Sequence, residues 1–192
     1  MIKTSLPFYL ASKSPRRRIL LKQLGIDFSS FSVELDEELI DGEHPVECVI
    51  RLAKEKMDKA KLKVNDGIII TADTIVVLGN EVIGKPSDEN EAKTYLRMLS
   101  GKTHIVYTGF SVFNSISKKK ITDYEKTEVE FRILDDLEIK NYVEGGSPMD
   151  KAGAYGIQDD FGAVFVKKIN GCFYNVVGLP LTKLYQVLRS II

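Results

Sequence analysis

Three places in this 192-residue chain combine residue types and spacing that could act on a phosphate. The first is Ser12-Lys13-Ser14-Pro15-Arg16-Arg17-Arg18, which follows the apolar run Phe8–Ala11. Ser14 suits a helix N-cap and Pro15 the first helical position. Three arginines then fall in the first turn of a helix, where the macrodipole is already positive. Free backbone N–H groups at that end favour an anion, and a bound polyanion removes the conflict. A basic helix surface that tolerates roughly a few tenths of a kcal/mol per charge fits this stretch alone equally well. The second place is Asp73-Thr74, between Ile68–Ala72 and Ile75–Leu78. A β-branched run without alternation predicts a strand buried on both faces. A carboxylate there is costly unless paired, hydrogen-bonded or metal-bound, which favours a working acid over an Asp that merely caps a turn. The third is Gly84-Lys85-Pro86, which sets one cation on a short rigid element after the expected hairpin Gly79-Asn80-Glu81.

The elements that must position these residues follow from periodicity. A helix is expected from Pro15 to about Leu24, with Ile19, Leu20, Leu21 and Leu24 inward, and Gly25 stopping it. Phe28 to Leu35 alternates as a strand, with Glu34 near its end and Asp36, Glu37 and Glu38 after it. Pro45 starts a helix with Val46, Val49, Ile50, Ala53, Met57 and Ala60 on the packed face and its charges taken as solvated. Asp88 caps the next helix, with Glu91 completing a capping box. His104 leads into a strand from Ile105 to Phe113 and reads as a hydrogen-bonded structural histidine rather than a base, with a side chain facing substrate as the alternative. A helix at 135–144 places Leu137, Ile139, Tyr142 and Val143 inward. Residues 149–158 fit neither periodicity and predict a packed loop with close backbone approach. Asn170-Gly171 predicts a hairpin between 161–169 and 172–177. Pro180 starts the last helix.

Composition narrows the function classes. Hydrophobic residues make up 44% and the formal net charge is zero, so any anion site is local and a nucleic-acid partner is not expected. No apolar run approaches a membrane span, and the N-terminus lacks a signal-peptide core, which leaves the cytoplasm as the expected location. Cys48 and Cys172 are far apart, with no zinc spacing, and read as small buried hydrophobes. The whole pattern is one mixed α/β domain without repeats or linkers.

Taken together, Leu10–Arg17, Ala72-Asp73-Thr74, Gly84-Lys85-Pro86, Ser100–His104 and Asp150–Gln158 resemble the Maf family, over essentially the full length and in that family's order. The resemblance implies a single elongated mixed-sheet domain, residues 1–192, with two lobes around a cleft, related to inosine triphosphate pyrophosphatases. It implies metal-dependent hydrolysis of dTTP and UTP, and of modified pyrimidine nucleotides, to the monophosphate and pyrophosphate, a house-cleaning role in the nucleotide pool. The divalent cation would be magnesium or manganese, and a homodimer is suggested. By position, Asp73 matches the catalytic acid, written as proton acceptor, and with Glu34 a metal residue. Arg16, Thr74 and Gln158 match the positions that mark the dTTP and UTP subgroup. Ser12, Arg17, Glu34, Lys85 and Asp150 match residues lining the phosphate and metal region. Ser147-Pro148 and Asp159-Asp160-Phe161 depart from the family pattern, the latter adding two negative charges beside the expected base pocket. The rival readings are the related 7-methyl-GTP subgroup and a non-catalytic regulator of septum formation.

Overall fold

The apolar runs set the strands, and capped amphipathic stretches set the helices between them. A computed structural model describes residue 2 and residues 4–35, 38–158 and 161–192, and of residue 147 the backbone alone. Expectations that fall on Asp36, Glu37, Asp159, Asp160 and the side chain of Ser147 lie outside the described residues. In chain order the elements are β1 Phe8–Ala11, α1 Pro15–Gln23, β2 Phe28–Phe31, α2 Pro45–Lys61, β3 Ile68–Leu78, β4 Glu81–Ile83, α3 Glu89–Leu99 and β5 Thr103–Asn114. Then come β6 Lys120–Phe131, α4 Asp136–Glu144, short 3-10 turns at Ser147–Asp150, Ala152–Ala154 and Phe161–Phe165, β7 Val166–Asn170, α5 Phe173–Val177 and α6 Leu181–Ile191.

Among the described residues the seven strands form one mixed sheet, in the order β2-β1-β3-β5-β6-β7, with β4 paired to β3. β1 runs parallel to both β2 and β3, while β3–β4 and β6–β7 are antiparallel. β2 is shorter than its alternation predicts. Among the described residues its only neighbour is β1, whose last residue, Ala11, lies opposite Phe31. Beyond Phe31 the described residues offer no ladder to join, and Glu34 sits in irregular chain.

The chain divides into two units, Met1–Asp73 with Thr108–Glu125 and Gly178–Ile192, and Thr74–Tyr107 with Lys126–Val177. In the first, α2 lies directly on the sheet. A Cβ at Gly109 of β5 would come within 2.2 Å of the Val49 carbonyl oxygen, so only glycine admits the helix there. The Thr71 hydroxyl of β3 donates to the Ala53 carbonyl of α2 at 2.8 Å, and Ala11, Met57, Ala60, Val64 and Ile69 close the core beneath. α6 buries Leu181, Leu184, Leu188 and Ile191, the spacing expected of an amphipathic helix.

In the second unit α3 packs on α4, and an aromatic cluster of His104, Phe131, Tyr142, Tyr155 and Phe165 fills the interior. Asp88 caps α3 as expected, but Glu91 takes the N–H and hydroxyl of Ser87 rather than the N–H of Asp88. The reciprocal capping box belongs instead to Asp135 and Glu138 at α4. Leu137 is exposed rather than inward. Ile139, Tyr142 and Val143 define the buried stripe, and a residue two before Ile139 points away from it. Ile19 is exposed on α1 for the same reason, beside buried Leu20 and Leu21.

The hairpin expected at Asn170-Gly171 does not form. β7 has β6 as its partner, and after Gly171 the chain curls into α5. Thr127 directs the turn. Its hydroxyl accepts from the Cys172 N–H at 3.0 Å and from Asn175 Nδ2 at 2.9 Å, and donates to the Cys172 carbonyl at 3.2 Å. Tertiary bonds to one threonine thus replace the second strand that the dipeptide suggests. Cys48 is buried and Cys172 only half-buried, both as free thiols.

Candidate active site

Asp73 lies in the middle of an eleven-residue strand, not at a turn, and is only 5% exposed. Its cation is Lys56 of α2, itself 7% exposed, whose ammonium forms a salt bridge with Asp73 Oδ1. The pairing follows from the helix–sheet register. Side chains alternate along a strand, so Ile69, Thr71 and Asp73 share the face that meets α2. Residues three apart share a helix face, so Ala53 and Lys56 lie together on α2. Once Thr71 bonds the Ala53 carbonyl, the next inward pair along both elements is Asp73 and Lys56. A buried ion pair needs this geometry, because each charge taken from water alone costs several kcal/mol, of order 3–5 for the survivor when a partner is removed.

Lys56 is buried, where the sequence predicts a solvated charge. The signal for it was present. Val49, Leu52, Ala53, Lys56, Met57 and Ala60 are all buried on α2, and Lys56 falls at the heptad return from Val49. A lysine in an apolar stripe needs a buried anion, and Asp73 is an anion that a β-branched strand leaves short of a cation.

The start of α1 is built as its residue types predict. Ser14 is the N-cap, its Oγ accepting from the Arg17 N–H at 3.4 Å, and Pro15 opens the helix. Ser12 is buried, and its Oγ accepts from the Ser14 N–H at 3.2 Å and from Arg17 Nη1 at 3.4 Å. Arg17 also donates from Nε to the Gly178 carbonyl at 2.8 Å. The turn thus holds Arg17 against Ser12 at the end of β1, and Arg16 stands half-buried beside it. Glu34 is exposed, and its main-chain carbonyl accepts from Lys59 Nζ of α2 at 2.7 Å.

In the other unit, Thr74 is half-buried at the start of its part of β3, and Lys85 is exposed just past β4. The 149–158 loop is packed, as expected. Asp150 is exposed and its Oδ1 accepts from the buried Lys151 ammonium at 3.0 Å. Gly153 adopts φ +72, donates its N–H to the Gly84 carbonyl at 3.0 Å, and would set a Cβ only 3.0 Å from Val76. This bond ties the loop to the residue preceding Lys85. The Gly156 N–H donates to Tyr142 Oη at 3.2 Å. Gln158 is half-buried, with Oε1 accepting from the Ile157 N–H at 3.2 Å. His104 is buried as expected, with Nε2 at 2.8 Å from Tyr155 Oη. Burial lowers the His104 pKa to about 4, so the ring is neutral near pH 7, and burial raises that of the Tyr155 phenol.

Among the described residues no group of three or more His, Cys, Asp or Glu side chains is gathered as a preformed metal cage. Asp73 and Glu34 carry hard carboxylate oxygens of the kind magnesium and manganese favour, with Asp73 Oδ1 held by Lys56 and the Glu34 residue exposed. Such ions bind through one or two carboxylates and take their remaining ligands from substrate phosphates and water.

The chain matches the family model described as Maf-like protein over residues 7–191. It is 46% identical over 182 residues to a dTTP/UTP pyrophosphatase of Carboxydothermus hydrogenoformans, covering 95% of this chain and 97% of that one. It is 47% identical over 182 residues to a dTTP/UTP pyrophosphatase of Aquifex aeolicus, covering 95% and 94%. A third relative of that name, from Pelotomaculum thermopropionicum, is 48% identical over 181 residues, covering 94% of each. Among solved structures, a HAM1 protein from Coxiella burnetii aligns with 97% of this chain and 98% of its own, at a TM-score of 0.49 and 14% identity.

Proposed function

The chain belongs to the Maf family, and from that premise we propose that it hydrolyses dTTP and UTP to the monophosphate and pyrophosphate. The observation that carries the chemistry is Asp73, a carboxylate held mid-strand by one buried ammonium. An ionised carboxylate accepts and does not donate, so Asp73 serves as the proton acceptor. Water's oxygen bonds to phosphorus at the α–β bridge, its proton passes to Asp73, and the bridging P–O bond breaks to release pyrophosphate. Lys56 fixes the carboxylate for that transfer.

The triphosphate needs cations and N–H donors. In the first unit these are Arg16, Arg17, Ser12 and the opening amides of α1. Thr74, Lys85, Asp150 and Gln158 are proposed as further substrate residues, on the strength of the family positions they match. Gln158 is the proposed base reader, since an amide both donates to and accepts from a pyrimidine edge. Asp73 and Glu34 would hold a divalent cation, which when bound supplies charge neutralisation to the phosphates. We propose that residues 1–192 work as one domain. The family match spans both units, and β3, β5 and β6 each contribute residues to both. A cytoplasmic location, a homodimer and the absence of a nucleic-acid partner belong to the same proposal. In support, no helix among the described residues is long and apolar enough to cross a membrane, and the net charge is zero.

The test is pyrophosphate release from dTTP, UTP, CTP, their 5-methylated forms, GTP and 7-methyl-GTP, with magnesium or manganese and with chelator. Metal-dependent cleavage of dTTP and UTP above the rest is expected. Preference for 7-methyl-GTP would keep the phosphate chemistry and overturn the roles of Arg16, Thr74 and Gln158. No turnover of any triphosphate would point to the regulator reading.

A further inference from the structure

His104 is 1% exposed, yet among the described residues its ring makes a single hydrogen bond, between Nε2 and Tyr155 Oη, and Nδ1 has no partner. Phe131 and Tyr155 pack edge-on around it, with centroids at 5.0 and 5.3 Å. An apolar side chain would fill this place without an orphaned nitrogen, which is costly when buried. What histidine adds is one directed bond.

That bond lands beside a strained turn. Ala154, next to Tyr155, has φ +58, a left-handed conformation that disfavours any residue with a Cβ. Such strain persists only where the surroundings over-determine it. The anchors are visible: Gly153 N–H on the Gly84 carbonyl, Ala154 N–H on the Lys151 carbonyl at 3.0 Å, Gly156 N–H on Tyr142 Oη, and Tyr155 Oη on His104. Within the turn, the Tyr155 side chain is fixed by a directed bond to His104 of the buried strand β5. Gln158 follows at the exit of the same turn.

We propose that His104 is a positioning residue for base selection: through Tyr155 Oη it locks the left-handed turn at Ala154 and thereby sets the place of Gln158. This rests on the reading of Gln158 as the base reader. His104 touches no substrate and acts through the loop alone.

Two readouts test it on the full chain. The first is kcat/KM for dTTP and for GTP in the unmodified protein and in Tyr155→Phe, His104→Leu and His104→Gln. Tyr155→Phe deletes only a hydroxyl, and His104→Gln keeps a polar group near the Nε2 position. The dTTP-to-GTP ratio is expected to fall about tenfold or more in Tyr155→Phe and His104→Leu, chiefly through a higher KM for dTTP. His104→Gln should restore it to within about threefold of the unmodified protein. The second is hydrogen exchange at the Gly153 and Gly156 amides, expected to speed up about tenfold or more in Tyr155→Phe while α6 amides hold. Equal slowing of dTTP and GTP in folded variants would overturn the role in selection. Unchanged amide protection would overturn the lock itself. If the unmodified protein cleaves no triphosphate, the proposed function fails, and the exchange readout still decides the lock.

Discussion

Lys56–Asp73 in one unit and His104–Tyr155 in the other are polar pairs taken out of water by different means. The first keeps both charges and relies on the match between them. The second sheds its charge, because burial holds His104 neutral down to about pH 4 and one neutral hydrogen bond remains. The charged pair joins a helix to the central strand, where proton transfer is proposed. The neutral pair joins a strand to a loop, where shape is set. An ion pair concentrates field at one atom, while a neutral bond gives direction with little field, and each is suited to its place.

The strongest way to break this contrast is Asp73→Asn. Turnover is expected to fall about a thousandfold, the scale of a lost general base. The substitution also strands the Lys56 ammonium, so stability should drop by about 3 kcal/mol in urea denaturation. A folded Asn variant with near-normal kcat would end the assignment of Asp73.

Lys56→Met comes next. It leaves the carboxylate buried without its cation, and a loss of about 3–5 kcal/mol is expected from the same measurement. Pairing it with Asp73→Leu should recover most of that stability, because well-packed apolar pairs replace buried ion pairs at little cost. The double variant should stay inactive. Full stability in the single variant would mean that water, not Lys56, balances Asp73.

How much of this was legible beforehand depends on the range of the determining contact. Ser14 and Pro15 announce the start of α1 because cap and first-turn chemistry is local. Asp73 stands out because a carboxylate in a β-branched run conflicts with its neighbours at once. Lys56 was readable from helical spacing but not from its own neighbours, which include charges on the opposite face. Its partnership with Asp73 needed the Thr71–Ala53 bond, which no spacing predicts. The helix after Gly171 was illegible because Thr127, far away in the chain, decides it. His104 could be read as structural, but its hydrogen-bond partner could not, since Tyr155 lies in a loop with no period.

The neutral pair carries its own pH signature. The ordinary histidine value of 6.5 falls to about 4 in the fold, through burial. Between those values the unfolded chain holds a proton that the folded chain refuses. Stability therefore rises with pH across that window and is lost as pH falls from 6.5 through 4. Denaturation at roughly pH 7 and pH 4.5 should differ by about 2 kcal/mol from this group, and His104→Gln should remove that share. An unaltered slope in His104→Gln would assign the acid sensitivity elsewhere and weaken the contrast between the two pairs.

The smallest effect is the most telling about the loop. Ala154→Gly relieves a left-handed alanine, worth about 1–2 kcal/mol in the folded state. Glycine also loosens the unfolded chain, which opposes this by about 0.4–1 kcal/mol. The net change in stability should be a gain of about 0–1.6 kcal/mol, read by denaturation. If the turn is held by Tyr155 and His104, the strain is relieved while the hydrogen bonds remain, and dTTP should still be preferred over GTP. In Tyr155→Phe the bond is gone and the strain remains, so selection should fail first. Adding Ala154→Gly to Tyr155→Phe should then restore part of the preference, because the turn no longer has a force working to unwind it. A double variant no more selective than Tyr155→Phe alone would mean that the hydroxyl, and not the relief of strain, decides where Gln158 sits.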